Sequence, residues 1–183
     1  RHSALNLGRW QQALDLANEI ANVERRRGAS AHETARTRFG SYGPLLALGR
    51  PADAEQVLRE CQEVFETVND ITMLAKVFSA RADLEGGRDH RQDALALQRT
   101  ALRLHYVSPE PRSVVGLHHN LANYLVHPAG TSAEPRAHRL AAALLCHVIA
   151  APHTLTQALL ARATELRLAP HGLSSPAPPA PPS

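Results

Sequence analysis

Four stretches of this chain carry one pattern, repeated about every 40 residues. They read LGRWQQALDLANEI from Leu7, LGRPADAEQVLREC from Leu48, RDHRQDALALQRTAL from Arg88 and SAEPRAHRLAAALL from Ser132. Each has a turn signal, a short polar stretch, an alanine and then an apolar face at helical period. The anchoring alanines are Ala13, Ala54, Ala94 and Ala137, with spacings of 41, 40 and 43. A period of that length, with helical pattern on both sides of the turn, predicts a helix–turn–helix unit stacked on copies of itself. Composition agrees. Ala occurs 31 times and Leu 26 times, and these residues lose little side-chain freedom in a helix. Aromatics are only 4%, which argues against a fold of packed strands.

The borders of the helices can be read from their chemistry. Ser30 and Glu33 form a capping box, which starts a helix towards Leu48. Gly49 supplies a left-handed stop and Pro51 opens the next helix at its first turn. Asp70 caps a helix expected to stop at Gly86-Gly87, and the next is expected from about His90 to His105. Ser108-Pro109 is expected to open a helix through Leu125, and Ser132 one ending near Ala150. Gly40, Gly43 and Pro44 fall inside the helix begun at Ser30, so a kink is expected there. A closing helix is expected over 152–168. Residues 169–183 read APHGLSSPAPPAPPS and are expected to be a disordered, Pro-rich tail.

These residues resemble the tetratricopeptide (TPR) repeat. In Leu7-Gly8-Arg9-Trp10-Gln11-Gln12-Ala13 the glycine ends the first helix of a pair, Trp10 opens the second, and Ala13 is the small residue where they touch. Leu48-Gly49-Arg50-Pro51-Ala52-Asp53-Ala54 matches the same turn. Phe78, Ala82, Ala94 and Ala101 match in the third unit, and Leu121, Ala122, Leu125 and Ala137 in the fourth. The spacing is that of the longer variant found in kinesin light chain and in large actinobacterial signalling proteins, and His118–Leu125 (HHNLANYL) is similar to such actinobacterial repeats. The resemblance implies an all-α, right-handed solenoid of about three and a half to four antiparallel helix pairs. The units are expected at 1–28, 29–69, 70–107 and 108–150.

The resemblance further implies a scaffold that binds a protein or peptide along a groove lined by the first helix of each pair. The family's groove positions project onto Arg36, Phe39 and Gly43, then Lys76, Ser79 and Asp83, then His119 and Asn123. Arg, Lys and Asn there offer directed donors to a peptide backbone or carboxylate. An alternative is a regulatory region acting on its own protein's nucleotide-switch or protease-like effector. The chain lacks an initiator Met and its first pair has only a stub of first helix. It is therefore expected to be the C-terminal part of a larger bacterial signalling protein, and its open first-unit face to allow self-association.

Other function classes find little support. No cofactor is expected, because no GxxxxGK[ST] or GxGxxG motif occurs, and no GxSxG marks a nucleophile, so no enzyme is expected. His118-His119 and Cys146-His147 are adjacent pairs whose side chains diverge by about 100° on a helix, so no metal site is expected. The net charge of +3 comes from scattered Arg and one Lys among 17 acids, without a phosphate-binding stripe, so nucleic acid is the less favoured partner. Arg25-Arg26-Arg27 before Gly28 reads as cations at a helix C-terminus. No run of 18 apolar residues exists, so no membrane partner is expected. Cys61 and Cys146, far apart and without CxxC, read as buried thiols of a cytoplasmic chain.

Overall fold

A computed structural model describes residues 9–108, 110–125 and 133–149, which form helices and turns without a strand. The helices are α1 (Trp10–Arg26), α2 (Ala31–Phe39), α3 (Tyr42–Ala47), α4 (Pro51–Thr67), α5 (Ile71–Gly87), α6 (Arg91–Val107), α7 (Pro111–Leu125) and α8 (Ala133–Val148). The substantial helix contacts join sequence neighbours, with α2 and α3 acting as the two halves of one element. That is the packing of a linear array, in which each pair hides its apolar side against the next. The expected stub of first helix at 1–7, the closing helix at 152–168 and the tail lie outside the described residues.

Every described turn between helices α1 to α6, except the α2–α3 break, contains one residue in the left-handed region. Gly28 (φ 76°) and Asn69 (φ 53°) serve the turns between pairs, Gly49 (φ 69°) and Asp89 (φ 63°) those within pairs. Their spacings are 41 and 40 residues, so the turn chemistry keeps the beat of the helices. Glycine is the default there because it has no Cβ to clash, and Asn and Asp tolerate the conformation better than other residues. Gly86-Gly87 was the expected stop in the third unit, but α5 runs through both glycines and turns at Asp89. Gly86 serves packing instead, because a Cβ on it would lie 2.9 Å from the Tyr124 ring.

The expected kink is a full break. α2 ends at Phe39, Gly40 and Ser41 turn, and α3 restarts at Tyr42. Pro44 then falls in the first turn of α3, where its missing N–H has no intrahelical partner to lose. Ser30 caps α2 through its side chain to the Glu33 N–H, and Pro51 occupies the first position of α4, as the sequence indicates. The start of α7 is displaced. Pro111, not Pro109, opens it, and Glu110 receives both the backbone N–H and the hydroxyl of Ser113.

In α1 the buried residues are Ala13, Leu14, Ala17 and Ala21; α4 and α6 each bury a stripe with steps of four, three and four residues. In α4 it is Ala54, Leu58, Cys61 and Phe65; in α6 it is Ala94, Gln98, Ala101 and His105. In α8 the buried members are Pro135, Ala142 and Cys146, while Ala137 is exposed. The fourth anchor is therefore Pro135, and the spacings become a regular 41, 40 and 41. One buried cluster runs from Leu14 through Leu45, Leu58 and Phe65 to Val77 and Leu84, joining α1 to α5. A second, smaller cluster of Val115, Ala142 and Cys146 holds α8 on α7. Both thiols are buried. Cys61 donates to the Ala35 carbonyl at 3.4 Å, and burial pushes its pKa up to about 11, so it stays protonated. No helix among the described residues is long and apolar enough to cross a membrane.

Candidate functional site

The forty-residue beat also sets the charges. The residues before α5 and α7, Asp70 and Glu110, lie 40 apart, and so do Arg36 and Lys76. Arg36 lies 3.7 Å from Asp70, and Lys76 lies 3.1 Å from Glu110. Each first helix thus extends a cation to the acid that opens the next one. Asp70 accepts the Met73 N–H as the cap of α5 and also meets His32 at 2.8 Å. Its backbone and side-chain hydrogen bonds outweigh burial and hold its carboxyl below the usual range. Asp70→Ala removes the cap and the joint to the preceding unit together. It is expected to cost about 1–2 kcal/mol, the usual scale for a lost cap, in a urea titration. Asp70→Asn, which still caps, should cost less.

Beside this ladder lies a hollow of about 300 Å³. Phe39 and Tyr42 form one wall, with ring centroids 5.1 Å apart. α5 contributes Lys76, Ser79 and Ala80, and α7 contributes Ser113, Gly116, Leu117 and Asn120. His105 of α6 forms the floor, only 1% exposed, and its Nδ1 has no hydrogen-bond partner. Burial lowers its pKa, outweighing the nearby Glu110 carboxylate and a hydrogen bond to the Ser108 backbone, so the ring is neutral at pH 7. Under Ser79, the fully buried Gln98 accepts the Ser79 hydroxyl at 3.3 Å and leaves its Nε2 unpartnered. An unmade hydrogen bond on a buried polar group costs about 1–3 kcal/mol. Of these two groups, His105 lines the hollow and Gln98 lies behind it, bonded to the lining Ser79.

Among the expected site residues, the structure brings Phe39, Lys76 and Ser79 together in this hollow. Arg36 is exposed and turned to Asp70. Asp83, two turns along α5 from Lys76, accepts the Tyr124 hydroxyl at 3.1 Å. Asp83 is exposed by area yet crowded by surrounding protein. Burial raises its pKa above the usual carboxylate range, and the Tyr124 hydrogen bond opposes this. Burial likewise raises the pKa of Tyr124 and Tyr42, each helped by the Asp83 charge. His119 and Asn123 are exposed and do not line the hollow; Asn120 does. Repeat equivalence places residues on the same side of each helix. A hollow between two helices is lined by their facing flanks, so α7 presents a different set. Tyr42, His105, Ser113, Gly116 and Asn120 were missed for that reason.

One group among the described residues has metal-ligand types close together. Glu85, His90 and Asp93 place ligand atoms within 4.8 Å of one another at the α5–α6 turn. Glu85 is already held by Arg88 at 2.9 Å and by His90 at 2.7 Å, so the cluster braces the turn. His118 meets neither Cys146 nor His147 but His138, with 2.8 Å between their Nδ1 atoms.

No protein-family model matches the chain, and no curated protein matches it. Solved structures do. The chain is similar to BtubC (BKLC) from P. vanneervenii, at 15% identity and a TM-score of 0.58, over 100% of this chain and 68% of that one. It is also similar to a Podosopora anserina protein with nearly identical TPR-like repeats, described as a kinesin light chain. The identity there is 12% and the TM-score 0.59, over 93% of both chains. Paired helices, a regular beat and this likeness together establish a TPR-like helical repeat fold.

Proposed function

We propose that this array is a protein-binding scaffold that holds an extended peptide in the hollow between α3, α5 and α7. The observation that carries the reading is the polar floor. Where α4 buries Leu58 and Phe65, α6 buries Gln98 and His105, and neither is fully hydrogen-bonded. An interior keeps such groups at a cost to stability, and a ligand that reaches them recovers it. Lys76 is balanced by Glu110, so the hollow favours an uncharged, hydrogen-bonding side chain over a bare ion. The aromatic wall of Phe39 and Tyr42 offers apolar area beside those groups. The likeness of His118–Leu125 to actinobacterial repeats supports a role in a larger bacterial signalling protein, in the cytoplasm.

The test is a peptide-display selection on the chain, followed by affinity measurement on variants. Space is open where a Gly116 Cβ would stand, so Gly116→Leu plugs the hollow without a backbone clash. Selected peptides should bind Gly116→Leu at least about tenfold more weakly, a loss of ~1.4 kcal/mol. Asn120→Ala should weaken binding and Asn123→Ala should not. Equal affinity for wild type and Gly116→Leu would refute the hollow as the site.

A further inference from the structure

The fourth helix pair contains a hydrogen-bonded relay that the binding hollow does not use. His118 of α7 is buried, and its Nδ1 lies 2.8 Å from Nδ1 of His138 on α8. The Tyr106 hydroxyl of α6 lies 3.1 Å from His118 Nε2. At the far end, His138 Nε2 is 3.9 Å from Glu134, whose carboxylate is held by Arg99 of α6 at 2.7 Å. Arg99 and Glu134 are thus the charges that face the pair, and Arg139 is half-buried on α8 beside it in sequence.

Proton counting limits this relay. Two neutral rings carry two protons on four nitrogens, and one proton must sit between the two Nδ1 atoms to make their short contact. A first added proton goes to whichever outer Nε2 is bare. There Tyr106 can turn to accept it, or Glu134 faces it. A second added proton has only the gap left. It sets two N–H groups head to head and two positive rings at a distance made for one hydrogen bond. Among the described residues, the apolar cluster that holds α8 on α7 is Val115, Ala142 and Cys146 with Leu145 and Ile149 packed against it, smaller than the cluster that joins α1 to α5.

We propose that the His118–His138 pair is an acid-sensitive latch, closing α7 on α8 when it shares one proton and releasing them when both rings are fully protonated. Burial, the largest cause for both rings, lowers each pKa below its ordinary 6.5; at His138 Arg99 adds to this and Glu134 opposes it. The unfolded chain therefore binds more protons than the folded one in this range. Stability is complete above about pH 6.5 and falls as the pH drops through the lowered folded values. Units with larger cores hold, so the opening is local to the last described pair. It reaches the binding hollow as well, since α7 carries Asn120.

Hydrogen exchange of the whole chain tests this, corrected for intrinsic rates at about pH 7 and about pH 5. Amides of α7 and α8 should lose about tenfold or more of their protection at the lower pH. Amides of α4 and the first half of α5 should not. His105 titrates in the same direction from the third unit, so a local readout is essential. His138→Gln keeps one hydrogen bond to His118 and cannot take a charge, so it should abolish the loss. Unchanged α8 protection at low pH, or an equal loss in His138→Gln, would overturn the latch. If that variant does not fold, ring-nitrogen NMR of the wild type decides. Two coupled steps support the latch, and two independent titrations near pH 6.5 refute it.

Discussion

Phe65→Ala is expected to destabilise the chain by about 3–5 kcal/mol, the range for emptying a buried aromatic site. Phe65 is fully buried at the joint between the second and third units. It belongs to the cluster that contains Leu58, Met73 and Val77, and the His32 ring meets its edge at 5.9 Å. Partial collapse onto the cavity is hindered, because its neighbours sit on three different helices. Leu58 and Phe65 are also the apolar pair to which no equivalent exists in the third unit. An array has no distant core to compensate, so the joint between the second and third units loses the full amount. Urea titration followed by circular dichroism measures it. A cost under about 1 kcal/mol would place that joint outside the main core.

The opposite change one unit later should act in the opposite direction. His105→Phe puts into α6 the residue that α4 carries at the equivalent position. It removes a buried nitrogen with no partner and adds apolar area, against the loss of the ring's hydrogen bond to the Ser108 backbone. The expected gain is about 1–2 kcal/mol, the lower part of the cost of an unsatisfied buried polar group. Thermal melting at pH 7 should show it as a higher midpoint. The same variant should bind selected peptides less well, because the floor of the hollow has lost its hydrogen-bonding atom. Stability gained with binding lost is the pattern of a residue kept for function. A loss of stability would instead mean that the His105 ring is held by bonds the folded chain depends on.

The beat, the turns and the stripes were readable because they depend on residues close in sequence. Gly49 with Pro51, and Ser30 with Glu33, carry their own geometry. The fourth unit was harder. In an Ala-rich chain several alanines satisfy one anchor, and Ala137 competed with Pro135, which is tolerated early in a helix. Gly86 read as a stop because the Tyr124 ring that needs its bare backbone is 38 residues away. Arg36 and Lys76 read as groove cations, although their recurrence 34 residues before Asp70 and Glu110 was a visible sign of a joint. Gln98 and His105 could have been found by aligning α6 on α4, where polar residues stand opposite Leu58 and Phe65. Nothing local in the sequence joins His118 to His138, because that contact depends on how two helices are rotated.

If the polar-floored hollow is where this scaffold holds its ligand, a bound peptide must perturb the residues that line it. Chemical-shift mapping of a display-selected peptide on the isotopically labelled chain tests it most directly. Saturable shifts are expected at Ser79, Gly116, Asn120 and the His105 ring, with the exposed faces of α4 and α6 unmoved. Shifts confined to those outer faces, with the His105 ring silent, would contradict it.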